Sequence, residues 1–352
     1  MHFSFRRGRS VSRGACDLTL QATEGAAAEA DHSLGRGHRP EGTIDPPERA
    51  GMLRPLLTLL KTSLLLLAAG ALGVGCGFGS GGGLTLGYLD WDENVANATL
   101  TKVLLQDDLG YEKVELKLAD DVGPAYQDLI NGETDAFQDA WMPNHQGFVN
   151  EGEGRIEVLE KPWYVGTTRY GIAVPKYMQG VDSISDLDHA GTDMITGLQP
   201  GAVLMEKIEA DVIPRYHLHS SLVEATTPAM LAELDRAYRM EEPFVFLAWS
   251  PHWMNQEYDF RYLSDPKNAM GSVDAPQSLH SVTREGLADD EPAAYALIRA
   301  MRLDEDQVGS LEISINNAGD PEKGVRRWLE EEKNSELVQP WIEAAKNAQE
   351  EE

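Results

Sequence analysis

Three tryptophans of this 352-residue chain lie at the ends of segments with strand-like sequence: Trp91 follows one, and Trp141 and Trp249 each end another. The chemistry that indole faces serve best is recognition of a quaternary ammonium group, which has no N–H to donate. Each face contributes about 0.5–2 kcal/mol in a dry site. If the three strand ends meet, the pattern predicts a quaternary-ammonium site; the alternative is that each tryptophan packs in a core.

The elements that must position these tryptophans alternate between strand-like and helix-like patterns. Such alternation predicts an α/β fold, whose ligands lie outside the carboxyl ends of the strands. Strands are predicted at about 84–89, 114–118, 136–141, 170–174 and 244–249, and helices at about 92–110, 124–130 and 227–238. The first helix is expected to be capped by Asp92 or Asn94.

Five segments carry a family resemblance: 90–96, 139–143, 170–175, 197–202 and 249–253, the last of which reads Trp-Ser-Pro-His-Trp. They resemble the signature segments of the glycine betaine/choline-binding proteins of osmoprotectant ABC importers, and the resemblance covers about residues 84–345. It implies a type II periplasmic-binding-protein fold with two lobes, each a sheet flanked by helices, and a hinge between them. It also implies delivery of a captured ligand to ABC permease and ATPase subunits, without catalysis.

By this resemblance Trp91, Trp141, Tyr170 and Trp249 form an aromatic box around the ammonium group. Glu93 either faces that group or stabilises the N-terminus of the first helix as an acidic residue. The expected ligand is glycine betaine. The alternatives are choline or carnitine taken up as a nutrient, or a receptor domain that only senses its ligand.

The carboxylate of a betaine needs a second site. Backbone N–H groups of Asn94 and Val95 are expected to supply it, because a helix N-terminus offers free donors and the positive end of the helix dipole. His252 is a further candidate for the carboxylate, or else a hydrogen-bonded histidine at a strand end. The remaining tryptophans are expected to pack in the core: Trp163, Trp253, Trp328 and Trp341.

The resemblance also predicts how the chain divides. Lobe 1 is expected to comprise about 84–172 and 276–352, and lobe 2 about 173–275. The Gly-rich segment 77–83 is predicted to be a tether. Residues 77–82 match G-x-G-x-x-G, but they follow no strand and open no helix, so a dinucleotide site is not expected.

Residues 52–76 are typical of a lipoprotein signal peptide. Arg54 and Lys61 precede or enter an apolar stretch, 64–74, which is shorter than the ~20 residues of a membrane-spanning helix. Small residues then lead to Cys76, the predicted lipidation site. The mature protein is therefore expected in the periplasm or at the cell surface, anchored through that lipid, and residues 1–51 are expected to be a leader or a mis-called start.

The chain carries 58 acidic and 30 basic residues, a net charge of −28. Such a charge repels phosphate backbones, so nucleic acid is not an expected partner. The acidic residues are spread through the domain, which favours adaptation to high salt over an ordinary solvated acidic face.

The sequence lacks several common catalytic motifs. It contains no G-x-S-x-G, H-E-x-x-H or P-loop motif. His217 and His219 have the spacing of two ligands on one strand face, but no third ligand is evident nearby. Both cysteines, Cys16 and Cys76, precede the globular part, so no internal disulfide is expected. We therefore expect no catalytic residue, no cofactor and no metal.

Overall fold

The computed structural model describes residues 83–199 and 202–350, which all belong to the unit Val74–Glu352. The predictions for the leader, the signal peptide, Cys76 and the tether up to residue 82 lie outside these described residues. Within them, no helix combines the length and apolar character needed to cross a bilayer.

Strands and helices alternate through most of the described chain. The strands are β1 (Leu84–Tyr88), β2 (Val114–Leu118), β3 (Ala136–Met142), β4 (Ile156–Val158), β5 (Tyr164–Val165), β6 (Arg169–Pro175), β7 (Met194–Thr196), β8 (Ser221–Val223), β9 (Val245–Ser250), β10 (Phe260–Tyr262), β11 (Ser278–Arg284) and β12 (Leu303–Asp304). The helices are α1 (Asp92–Asp107), α2 (Val122–Ile130), α3 (Gln146–Glu151), α4 (Val203–Lys207), α5 (Ile213–Tyr216), α6 (Thr227–Met240), α7 (Met254–Glu257), α8 (Leu287–Asp290), α9 (Pro292–Ala300), α10 (Glu305–Ala318), α11 (Pro321–Leu329) and α12 (Glu332–Glu350). A 3₁₀ helix spans Ile184–His189, and a π-helical turn, Ile208–Val212, joins α4 to α5.

Two five-stranded sheets organise these elements. The first has the order β2-β1-β3-β11-β4, with β1 parallel to β2 and β3, and β11 antiparallel to β3 and β4. The second has the order β10-β6-β9-β7-β8, with β7 parallel to β8 and β9, and β6 antiparallel to β9 and β10. The prediction of an α/β fold in which sheets are flanked by helices is confirmed.

Two of the strands that carry aromatic candidates, β3 and β9, are almost entirely buried. Every residue of β9 is buried, and so are all residues of β3 before Met142. The apolar run of β9 before Ser250 is typical of a strand covered on both faces, whereas β3 also buries Gln138 and Asp139. Helix α1 packs on β1 and β3 and covers one face of the first sheet.

Helix α1 already includes Asp92 and Asn94, the two residues predicted to cap it. Its N-cap is Trp91, and no side chain accepts a capping hydrogen bond there. The prediction that Asp92 or Asn94 caps the helix is therefore wrong. The Asn94 side chain instead accepts a hydrogen bond from the backbone N–H of Leu89 at 2.7 Å, which ties the start of the helix to the end of the preceding strand.

The chain moves from the first sheet to the second just before β6 and returns between β10 and β11. The predicted lobe border at residues 172 and 173 falls inside β6, which lies wholly in the second sheet. Because β6 runs antiparallel to β9, Tyr170 near its start pairs in register with Trp249 near the end of β9. Two aromatic residues distant in sequence thus reach the same edge of the second sheet.

Candidate ligand-binding site

A small cavity, with an empty volume of about 350 Å³ including its opening to solvent, lies where these strand ends meet. The described residues that line it are Trp91, Glu93, Trp141, Asn144, His145, Tyr170, Leu198, Val203 and Trp249. None of them is Lys or Arg. We call the set of Trp91, Trp141, Tyr170 and Trp249 the aromatic box.

Both sheets contribute to the aromatic box. Trp91 follows β1 and Trp141 lies near the end of β3, whereas Tyr170 and Trp249 belong to the second sheet. The rings of Trp141 and Tyr170 meet across the two sheets, with centroids 5.7 Å apart and planes tilted by 41°. The three indoles are only 3–7% exposed. Their faces are therefore dry, which is the condition in which cation–π attraction is strongest.

Glu93 lies beside the box and holds one of its rings. The indole Nε1 of Trp249 donates to Glu93 Oε2 at 2.9 Å, while Glu93 Oε1 is buried without a hydrogen-bond partner in the described part of the chain. Burial raises the pKa of Glu93 well above its usual range, and the nearby carboxylates of Asp139 and Glu312 raise it further against the opposing indole hydrogen bond.

Asp139 holds a second ring in the same way, and the sequence analysis did not assign it to the site. The indole Nε1 of Trp141 donates to Asp139 Oδ1 at 3.1 Å, and Oδ2 is buried with no hydrogen-bond partner among residues 83–199 and 202–350. Burial raises the pKa of Asp139 to about 8. One signal was available: residues i and i+2 of a strand share a face, so Asp139 had to lie beside Trp141.

His145 is a lining residue that the sequence did not indicate. The backbone N–H of Trp141 donates to His145 Nδ1 at 3.3 Å, and burial lowers the pKa of His145 to about 3. The ring is therefore neutral, and its hydrogen lies on Nε2 because Nδ1 is an acceptor. Asn144 is anchored through its backbone N–H to Gln277 Oε1 at 3.1 Å and through Nδ2 to the Val273 carbonyl oxygen at 3.3 Å.

The structure places the predicted carboxylate contacts differently. The backbone N–H of Val95 donates to the carbonyl oxygen of Trp91 at 2.8 Å, as the first hydrogen bond of α1. The expectation of a free N–H at Val95 is therefore wrong. Neither Val95 nor Asn94 lines the cavity. The backbone N–H groups of Asp92, Glu93 and Asn94 come before this first helix hydrogen bond, so α1 itself supplies no carbonyl acceptor for them.

His252 lies behind the box rather than in its wall. Its ring meets Trp249 edge-on with centroids 4.5 Å apart, and it is not among the residues that line the cavity. Its Nδ1 accepts from the backbone N–H of Met254 at 3.0 Å, and Nε2 lies 3.4 Å from Asp92 Oδ2. Burial raises the pKa of Asp92, but its polar contacts with His252 and Trp253 outweigh this and lower it overall.

Two further bonds connect the segment after β9 with α1 and α10. Trp253 Nε1 donates to Asp92 Oδ2 at 2.5 Å, and the Trp253 backbone N–H donates to Glu312 Oε2 at 2.6 Å. Asp92, His252, Trp253 and Glu312 form what we call the α1–β9 bridge. The bridge joins the second sheet to helices that pack with the first.

Three of the tryptophans predicted to pack in the core do so. Trp163, Trp328 and Trp341 are buried away from the cavity, as predicted. His219 pairs with Asp188 at 3.1 Å on the surface. In the described ranges, no group of three or more His, Cys, Asp or Glu side chains has an arrangement that could hold a metal ion.

Comparison with known proteins connects this geometry to a family. Residues 82–331 match the family model OpuAC, described as the substrate binding domain of ABC-type glycine betaine transport systems. The glycine betaine/carnitine transport binding protein GbuC of Listeria monocytogenes serotype 1/2a (strain 10403S) is 30% identical over 165 residues. That alignment covers 46% of this chain and 53% of the relative, so the chain matches about half the length of this curated relative.

Solved structures match about three quarters of this chain. Lactococcal OpuAC, in a closed conformation complexed with glycine betaine, is 29% identical with a TM-score of 0.65, over 74% of this chain and 98% of that one. An ABC-transporter choline-binding protein in complex with choline is 25% identical with a TM-score of 0.62, over 75% and 97%. These neighbours confirm the two-lobe periplasmic-binding-protein fold of type II. The chain belongs to the family of substrate-binding domains of ABC-type glycine betaine transport systems.

Proposed function

We propose that this protein is the extracytoplasmic binding protein of an ABC importer and captures a quaternary ammonium osmolyte, with glycine betaine as the first candidate. The observation that carries the proposal is the aromatic box: four aromatic side chains line one cavity, and no Lys or Arg is among its described lining residues. Structural relatives have been solved with glycine betaine and with choline. Those two ligands share the trimethylammonium group and differ at the other end.

Cation–π attraction in the box supplies a large share of the free energy of micromolar binding. Each dry face attracts a cation by about 0.5–2 kcal/mol, so four faces supply a large share of the roughly −8 kcal/mol that micromolar binding requires. The methyl groups of the ligand also bury apolar surface against the same rings. No hydrogen bond to the nitrogen is needed.

The carboxylate of glycine betaine needs a donor at the other end of the cavity. The neutral ring of His145 lines the cavity and carries its hydrogen on Nε2, so we add it to the candidates proposed from sequence. The backbone N–H of Asn94 at the start of α1 remains a candidate. Val95 and His252 would each have to change their present hydrogen bonding or position to take this role.

Choline is the second candidate ligand, and one observation favours it. Glu93 Oε1 is buried beside the box without a partner in the described structure. A carboxylate oxygen in that position accepts a hydrogen bond from the hydroxyl of choline. In its ionised form it has no donor for the carboxylate of a betaine.

We infer that binding closes the two lobes. A ligand in the box touches Trp91 and Trp141 on one side and Tyr170 and Trp249 on the other, so it binds best when both sheets approach. The α1–β9 bridge forms across the same gap. A hinge is proposed at the two chain crossings before β6 and after β10, with lobes close to the predicted 84–172 plus 276–352 and 173–275.

The setting of the protein is part of the same proposal. Membership of an ABC transport family implies permease and ATPase partners and an extracytoplasmic location. We propose export through the signal peptide at 52–76 and a lipid anchor on Cys76. The acidic composition, with a net charge of −28, supports the proposal that the protein functions at high salt.

Salt provides a first test of the site. Attraction inside a dry aromatic box is screened little, whereas long-range attraction to an acidic surface is lost when the Debye length falls to about 3 Å at 1 M salt. We expect the affinity for glycine betaine to change less than about threefold between 0.1 and 1 M NaCl. Titration of the intrinsic tryptophan fluorescence measures it. A loss of binding over this range would assign the attraction to surface charge instead of the box.

A further inference from the structure

Two buried carboxylates stand behind the aromatic box, and each holds one indole. Glu93 accepts from Trp249 and Asp139 accepts from Trp141. Each keeps a second buried oxygen that has no hydrogen-bond partner in the part of the chain that the structure describes. Both side chains are at most 1% exposed.

No cationic side chain of the described residues compensates two negative charges on this pair. Neither carboxylate forms an ion pair with a Lys, Arg or His of residues 83–199 or 202–350. The titratable groups that face the pair are acidic or neutral: Glu312 of α10, Tyr126 of α2 and Tyr170 of β6. His145, which lines the same cavity, is neutral. A buried carboxylate without a compensating cation is expensive and takes up a proton instead.

We propose that the empty site holds a proton on the Glu93–Asp139 pair, that a quaternary cation entering the box displaces this proton, and that Asp139 thereby makes the site select cationic ligands. The inference rests on the proposed function, since it assumes that the box is the ligand site. Asp139 acts here through Trp141 and through its charge. It is a positioning and specificity-determining residue.

The exchange conserves charge inside the site. The O–H bond of the protonated carboxyl breaks, the proton passes to solvent, and the ammonium group of the ligand replaces it as the compensating positive charge. The direction of the pKa shifts agrees, because burial raises the pKa of both Glu93 and Asp139. A nearby fixed cation lowers such a pKa again.

Ligand charge then decides affinity as much as ligand shape. Choline carries one net positive charge, which fully replaces the charge of the displaced proton. Glycine betaine brings the same ammonium group together with a carboxylate, whose negative charge partly cancels the effect. The uncharged carbon analogue of choline, in which a tert-butyl group replaces trimethylammonium, displaces no proton.

Calorimetric titration with choline at pH 7, in two buffers of different protonation enthalpy, tests the exchange on the unaltered full chain. We expect release of a measurable fraction of one proton per choline, and a choline affinity that rises with pH by up to about tenfold per unit below pH 8. The uncharged analogue should release none. Because this readout needs no variant, it stands whether or not a substitution at Asp139 folds.

The variant Asp139→Asn separates charge from position. Its amide oxygen still accepts from the Trp141 indole, but the charge is gone. We expect proton release to fall, choline affinity to drop about tenfold, and affinity for the uncharged analogue to stay the same or rise. Asp121→Asn is the matched control, since Asp121 caps α2 away from the cavity. It should leave choline binding and proton release unchanged.

The outcomes distinguish the two proposals. If neither choline nor glycine betaine binds, the proposed function fails. If they bind without proton release, and Asp139→Asn weakens choline, betaine and the uncharged analogue alike, Asp139 only supports the fold of the site. The charge-exchange inference is then overturned while the binding function stands.

Discussion

Replacing Trp249 by leucine is expected to lower the affinity for a quaternary ammonium ligand at least about 30-fold, equivalent to about 2 kcal/mol. Leucine fills part of the volume but has no π face. The change also removes the donor to Glu93 Oε2, so that oxygen joins Oε1 in having no hydrogen-bond partner among the described residues. Fluorescence or calorimetric titration measures the loss, with the melting temperature as a check on folding.

Two companion variants make this result specific. Trp249→Phe keeps an aromatic face but loses the indole N–H, and we expect it to bind between the parent and the leucine variant. Trp163→Phe changes a buried tryptophan away from the cavity and should leave affinity unchanged. The aromatic-box assignment is wrong if Trp249→Leu binds as tightly as the parent protein.

Replacing Asp139 by asparagine is expected to change how the stability of the ligand-free protein depends on pH. Burial raises the pKa of Asp139 to about 8, whereas an unfolded aspartate titrates near 3.9. The folded state thus holds its proton more tightly. The stabilisation from that proton is fully present below about pH 4 and is lost as pH rises toward 8.

Asparagine does not titrate, so the variant lacks this loss. The unfolding free energy of Asp139→Asn minus that of the parent should increase by on the order of 5 kcal/mol between pH 4 and pH 9. Denaturant unfolding at several pH values measures it. Saturating choline should flatten the pH dependence of the parent, because the cation then replaces the proton. Parallel pH profiles for parent and variant would contradict a buried, protonated Asp139.

The strands and the box tryptophans were predictable because their signals are local. An apolar run ended by Pro251 marked β9, and a segment ended by Pro143 marked β3; Trp249 and Trp141 lie near the ends of these two segments. Tyr170 is different. It reaches the box because β6 is antiparallel to β9, a pairing between residues distant in sequence, and only the family resemblance indicated it.

The residues missed or misplaced depend on geometry that the sequence does not encode locally. His145 faces the cavity because of how the turn after β3 is folded, and His252 turns its ring edge toward Trp249 instead of the cavity. The N–H of Val95 is occupied because the N-cap of α1 is Trp91, one residue before Asp92, the nearer of the two predicted caps. A shift of one residue at a helix start changes which donors are free.

The central claim is that the aromatic box binds a quaternary ammonium group through its positive charge. Its most direct test is calorimetric titration of the purified protein, in high-salt buffer, with glycine betaine, choline and the uncharged tert-butyl analogue of choline. The account predicts saturable binding of at least one of the two ammonium ligands, with the analogue at least about 100-fold weaker than choline where choline binds. Failure of both ammonium ligands to bind, or an analogue that binds as tightly as choline, would contradict it.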